Sequence, residues 1–139
     1  MKTIYLSLIL MLSGTAHAQS QTNLEVKVQN FKNQDGKLRV ALYNNQKSYL
    51  KETFKVADTI VYNLNEVTVI FKNIPEGEYA ISVYHDQNNN DDLDSNFMGI
   101  PTEPYGFSNN APSRFGPASY EDSAFTLSSS NNVQIIQLN

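Results

Sequence analysis

The sequence predicts an all-β fold: a single antiparallel β-sandwich of about seven strands, with one long ordered loop rich in Asn, Asp, Gly and Pro. Three observations predict it. Apolar and polar residues alternate in several short runs, the two-residue period of a half-buried strand. Turn-forming residues separate those runs. No stretch after residue 20 has the apolar spacing of a long amphipathic helix, which argues against an α/β architecture.

The first strand is read from Leu24, Val26 and Val28, which alternate with Glu25, Lys27 and Gln29. The alternation slips at Asn30-Phe31, the expected position of a bulge. Asp35-Gly36 reads as a two-residue hairpin turn, since both positions tolerate positive φ. It leads to a strand with Leu38, Val40 and Leu42 on one face. Residues 44–55 are the least regular; Tyr49, Leu50 and Phe54 suit a loop with a short helix over the core. Short strands are expected at 60–62 and through Val67, Val69 and Phe71. Pro75-Glu76-Gly77 then turns the chain into a strand over 78–85, where Tyr79, Ile81, Val83 and His85 share one parity. Residues 123–127 and 133–138 complete the set.

Between them, residues 86–121 show no period. A loop this long is usually functional or disordered. Phe97, Tyr105, Phe107, Phe115 and Tyr120 argue for order, because aromatic side chains bury area and pin a loop.

Residues 1–18 read as a signal peptide and 19–139 as the single domain. Met1-Lys2 gives a short basic start, residues 4–12 are apolar apart from Ser7, and Ala16-His17-Ala18 fits the small-x-small pattern cut by signal peptidase. The apolar run is well short of the roughly 20 residues needed to span a bilayer. Cleavage after Ala18 leaves Gln19 first and places the protein outside the cytoplasm, periplasmic or extracellular, with no membrane insertion afterwards. No cysteine follows the cut, which excludes a lipid-anchored terminus.

Lys2 leaves with the leader, so the mature chain carries nine basic and fourteen acidic side chains, a formal net charge of −5. That balance disfavours nucleic acid, whose phosphates call for clustered Lys and Arg. The absence of cysteine removes thiol catalysis, iron–sulfur clusters and thiolate zinc sites. His85 is the one mature histidine, whereas catalytic zinc usually takes two or three imidazoles.

The densest chemistry follows the strand over 78–85. Asp86, Asn88, Asn90, Asp92 and Asp94 put an oxygen-bearing side chain at every second position, the ligand type a hard cation such as calcium prefers. Counted from Asp86 they match alternate positions of a helix–loop–helix calcium loop, and Leu93 sits where an apolar anchor is common. The match then fails twice. The sixth position wants Gly and holds Asp91; the twelfth wants a bidentate Glu and holds Phe97. The expectation is therefore a calcium loop on a β-scaffold, with Glu103 supplying an acid from further along. Charge supports it: four carboxylates crowd together with no Lys or Arg between Lys72 and Arg114, and a divalent ion would relieve their repulsion. The bland alternative is a solvated Asn/Asp turn whose side chains cap their own backbone.

His85 has a structural reading, hydrogen-bonded to a loop carbonyl at the strand end, and a catalytic one, as a base oriented by Asp86. Neighbours on a strand point to opposite faces, which hinders a direct His85–Asp86 pair. A serine nucleophile would come from afar, Ser108 or Ser119, and no nucleophile-elbow motif is present. Beside the loop, His85, Tyr105 and Phe107 are candidates for a ligand surface; Tyr105 and Phe107 read equally well as anchors.

The motif His85-Asp86-x-Asn88-x-Asn90-x-x-Leu93-Asp94, followed by Gly99-x-Pro101-x-Glu103-x-x-Gly106-Phe107-Ser108-Asn109-Asn110, resembles the exported bacterial family called domain of unknown function 2141. Gly77-Glu78-Tyr79-Ala80 and the stretch from Pro117 to Phe125 resemble it as well. The strand count suits an immunoglobulin-like or transthyretin-like sandwich, and the resemblance implies a signal peptide and one β-sandwich, related in style to transthyretin-like and carboxypeptidase-regulatory-like domains. It brings no activity, substrate or catalytic residue. One departure is Asp91, where the family pattern often has Gly.

The reading that follows is an exported, non-enzymatic β-sandwich module. Its acidic loop is ordered by calcium and presents a surface to a protein, peptide or glycan. The alternatives are a small exported hydrolase using His85 with Asp86 or Glu103, and a purely structural envelope module.

Overall fold

The computed structural model describes residues 14–139; the basic and apolar parts of the expected leader lie outside the described residues. Among the described residues, eight strands form two sheets. β1 (Gln21–Gln29), β4 (Glu66–Pro75) and β8 (Val133–Gln137) make one, in the order β4-β1-β8. In the other, β2 (Lys37–Tyr43), β3 (Lys55–Ile60), β5 (Gly77–Asp86) and β6 (Tyr105–Phe107) run in the order β3-β2-β5-β6, and β7 (Phe125–Leu127) pairs with the start of β5. No helix among the described residues is long and apolar enough to cross a membrane.

The core lies between the sheets and is the set the alternation picks out. Leu24, Val26 and Val28 of β1 share one cluster with Leu38, Val40 and Leu42 of β2, all fully buried. Val67, Val69 and Phe71 of β4 join them, as do Tyr79, Ile81 and Val83 of β5. Full burial of each Val, Leu or Ile is worth about 1.5–3 kcal/mol over exposure. The all-β sandwich is thus the fold.

Several local expectations are corrected. Asp35-Gly36 does not close a hairpin. β1 pairs with β4 and β8, while β2 pairs with β3 and β5, so the chain crosses between sheets at this point. The local signal was right about conformation, since Gly36 has φ 61°, but two strands can be joined by such a turn without pairing. The sandwich is also not wholly antiparallel, because β8 runs parallel to β1. The slip at Asn30 marks the end of β1, with Asn30 at φ 75°; the register shift falls earlier, between Thr22 and Leu24. β3 occupies 55–60 rather than 60–62. It is an edge strand with Val56 and Ile60 exposed and only Ala57 and Thr59 partly covered, so it carries little alternation to detect. Residues 44–54 form turns instead of a helix, with the amides of Lys51 and Glu52 both donating to Ser48 O (2.9 and 2.8 Å). The strand expected from residue 123 starts at Phe125, because Tyr120–Ser123 form one helical turn, α1, capped by the Ser119 hydroxyl.

The segment 86–121 is ordered by a second cluster on the outer face of the larger sheet. Tyr43, Tyr49 and Tyr120 stack edge to face, with centroids 5.3 and 5.5 Å apart, over Ala41, Ala80 and Phe107. Tyr49 Oη donates to Ala118 O at 3.0 Å. Of the five aromatics expected to pin the loop, Phe107 and Tyr120 are buried and Tyr105 packs against them. Phe97 and Phe115 are fully exposed and pin nothing.

Candidate functional site

β5 ends at the site. His85 and Asp86, consecutive on its last turn of pleat, point apart. His85 is completely buried and edge-on to Phe31, 5.4 Å between centroids. Its Nε2 donates to Asp35 O at 2.5 Å, because a carbonyl can only accept. Nδ1 has no partner; among the described residues it is the one buried side-chain polar atom left so. His85 is therefore neither a ligand surface nor a group within reach of substrate. The same holds for Phe107, which is buried, while Tyr105 keeps partial exposure and takes a hydrogen bond from Ser113 Oγ at 3.2 Å.

Asp86 is also fully buried. Its carboxylate accepts the main-chain N–H of Asn90 on Oδ1 (3.1 Å) and of Asp91 on Oδ2 (2.9 Å). Glu103, nearly buried, does the same from the other side, accepting Gln87 N–H on Oε1 (2.8 Å) and Asp94 N–H on Oε2 (3.1 Å). These two acids clamp the loop by its backbone. The curl they impose puts Asn89 and Asp91 in the left-handed region, φ 56° and 66°. So the sixth position adopts the conformation that glycine favours there, although the residue is Asp.

Asn88, Asn90 and Asp94 converge on one another. The amide nitrogens of Asn88 and Asn90 donate to the two oxygens of Asp94 at 2.5 and 2.7 Å. The amide oxygens take the N–H groups of Asn90 (3.3 Å) and Asp92 (3.1 Å). Asp92 is exposed. The six sequence-derived ligands thus divide: Asp94, Asn88 and Asn90 are gathered, the Asp92 side chain is exposed, and Asp86 and Glu103 are engaged with main chain. No group of three or more His, Asp or Glu side chains arranged for a metal occurs among the described residues. A calcium ion here would draw on Asp94, Asp92 and the amide oxygens of Asn88 and Asn90, with water completing its shell.

Charge on the loop is not left uncompensated, as the local sequence suggests. The cations come from β2, which pairs with β5. Lys37 Nζ bonds Asp91 and lies 3.3 Å from Asp58 and 3.9 Å from Asp86. Arg39 forks onto both oxygens of Asp58 (2.8 Å each) and reaches Asp91 at 3.4 Å. Tyr84 Oη donates to Asp91 O at 2.9 Å. Lys37 holds the Asp91 carboxyl below its ordinary value, and Arg39 does so for Asp58. Asp91 in turn raises the Lys37 ammonium.

Beyond the clamp, the chain makes a tight projecting turn that sequence reasoning missed. Ser95 pairs with Pro101, and Asn96 Oδ1 accepts the N–H groups of Met98 (2.9 Å) and Ile100 (3.1 Å). Phe97, Met98 and Ile100 project from it, 97%, 65% and 51% exposed. The signal available in sequence was an apolar Phe-Met-Gly-Ile inside an otherwise polar stretch. Only Phe97 enters the expectation, as an aromatic that pins the loop by burying, and its exposure corrects that.

The serines considered as nucleophiles have structural work. Ser108 is fully buried, accepting Ile81 N–H (2.9 Å) and donating to Ser123 O (2.5 Å). Ser119 caps α1.

Fold and site together define a small all-β sandwich with a carboxylate-clamped acidic loop at the end of β5. Residues 26–135 match the family described as an uncharacterized protein conserved in bacteria (DUF2141), and the chain belongs to that family. No curated protein and no solved structure matches it.

Proposed function

We propose that this protein is an exported, non-enzymatic binding module whose acidic loop takes calcium and holds out an apolar contact for a partner. The observation that carries this reading is the convergence of Asn88 and Asn90 on the Asp94 carboxylate, immediately before the turn that projects Phe97, Met98 and Ile100. Rotating the two amides brings their oxygens where their nitrogens stand, turning a hydrogen-bonded cluster into a set of oxygen ligands. Thr102 N–H and Oγ1 both bond Asp94 O, at 2.8 and 3.1 Å, so order at Asp94 passes directly to the turn. The tip offers apolar surface and few hydrogen-bonding groups, which suits a protein or peptide better than a glycan. The non-enzymatic part is supported by His85, buried among core side chains, and by Ser108 and Ser119, whose hydroxyls serve the fold.

Calorimetric titration of the mature protein with calcium, with melting followed beside it, tests the reading. Binding heat and a raised melting temperature are expected, both reversed by chelator and both lost in Asp94→Ala. Absence of heat together with an unchanged melting temperature overturns the calcium role. A purely structural module is the second reading. It is favoured by Lys37 and Arg39, which already neutralise Asp91 from β2.

A further inference from the structure

We propose that the mature protein carries a pyroglutamyl amino terminus, formed by cyclisation of Gln19. The proposal rests on the export reading, because cleavage after Ala18 is what frees the Gln19 α-amino group.

The geometry around this position leaves the residue free to react. Residues 14–20 are all exposed. The hydrogen bonding of the fold takes hold one residue later, where Glu76 N–H donates to Ser20 O at 2.9 Å, and β1 begins at Gln21. Gln19 is therefore held at the mouth of β1 by its successor and is itself exposed. Its side chain makes one exposed hydrogen bond, Nε2 donating to Glu76 O at 3.1 Å. An exposed bond of this kind exchanges readily with water, so it does not restrain the amide.

An amine and an amide carried by the same residue react intramolecularly, with the advantage in effective concentration that proximity gives. The α-nitrogen attacks the side-chain Cδ and a new C–N bond closes a five-membered lactam. The Cδ–Nε2 bond breaks, and Nε2 leaves as ammonia, carrying the proton released by the amine. No oxidant, reductant or metal is required. The product loses the charged ammonium at the amino terminus, making the mature chain more negative, and leaves aminopeptidases no free amine at which to begin on β1.

The test uses the full chain exported from a bacterium under its own leader. The purified protein is measured by intact mass and by stepwise amino-terminal degradation. The expected result is the mass of residues 19–139 less one ammonia, with degradation blocked. Gln19→Asn, one methylene too short to close the ring, is expected at its full mass with degradation proceeding. A wild-type chain of residues 19–139 at full mass with a free amine overturns the cyclisation while leaving the export reading in place. A mature chain that starts at any other residue overturns the cyclisation alone, and a chain that keeps its leader overturns both.

Discussion

Gly36 lies directly against the main chain of Asp86: a Cβ at residue 36 would fall 1.9 Å from Asp86 O and 2.8 Å from the Gln87 carbonyl carbon. The contact explains why the chain crosses between sheets with a left-handed glycine. The Asp35–Gly36 turn is the floor on which the acidic loop starts, and Asp35 O receives the His85 Nε2–H from the same strand end. Gly36→Ala combines a strained φ with a clash against backbone, which cannot yield as a flexible side chain can. The expected loss is about 3 kcal/mol of stability or more, read from denaturant midpoints. A loss below about 1 kcal/mol would mean that the crossing is pliable and that loop and turn are not packed as a unit.

Glu103 is the second half of that unit. Its two oxygens hold the N–H groups of Gln87 and Asp94, which bracket the loop. In Glu103→Gln one oxygen becomes an NH2 group facing an N–H, so a buried donor loses its acceptor. The expected cost is about 1–3 kcal/mol. Hydrogen exchange localises it: of the Gln87 and Asp94 amides, the one left facing the new NH2 group loses protection, while the β1–β4 ladder keeps its own. If Glu103 were instead important as a ligand alone, the same substitution would leave those amides protected in the absence of metal.

How much of this was legible in the sequence depends on how local each cause is. The two-residue period of β1, β2, β4 and β5 is local, and the inner-face residues it marks are the buried ones. The acidic loop was legible as a composition and as a spacing. Its electrostatics were not, because Lys37 and Arg39 come from another strand and reach Asp91 and Asp86 only through the β2–β5 pairing. Tyr105 and Phe107 looked alike as aromatics in a polar stretch. Burial of Phe107 follows from the tertiary placement of β6 beside β5, which no window of sequence contains.

The Arg39–Asp58 fork gives the fold an acid-sensitive contact on the outer sheet face. Arg39, and after it Lys37, holds the Asp58 carboxyl below its ordinary value of 3.8, against the opposing effect of burial. A depressed native value means that the unfolded chain takes up the proton first as acid is added. The stability Asp58 contributes is therefore complete above pH 3.8 and is lost as pH falls through the lower native value. Asp58 is about one-third exposed, so the contribution is about 1 kcal/mol or less. Asp58→Asn is expected to melt lower than wild type at neutral pH, with the gap closing between about pH 4 and pH 2. A gap that stays constant across that range would remove the fork from the stability balance.

The projecting turn separates a contact surface from a core element by a double substitution. Phe97 and Ile100 have little to lose on replacement, being 97% and 51% exposed, and the turn beneath them is built by Asn96 Oδ1 and the Ser95–Pro101 pair rather than by their side chains. Phe97→Ser combined with Ile100→Ser is expected to shift stability by no more than about 0.5 kcal/mol. The same variant should elute earlier from a hydrophobic-interaction column, since it removes the largest exposed apolar group on the loop. Asn96→Ala should do the opposite. It keeps the apolar surface but withdraws the acceptor shared by Met98 and Ile100 N–H, so those amides exchange faster while column retention is held. A drop in stability above about 2 kcal/mol for the Phe97/Ile100 pair would show that the side chains bury against the domain in solution, and the tip would then be an anchor and not a surface for a partner.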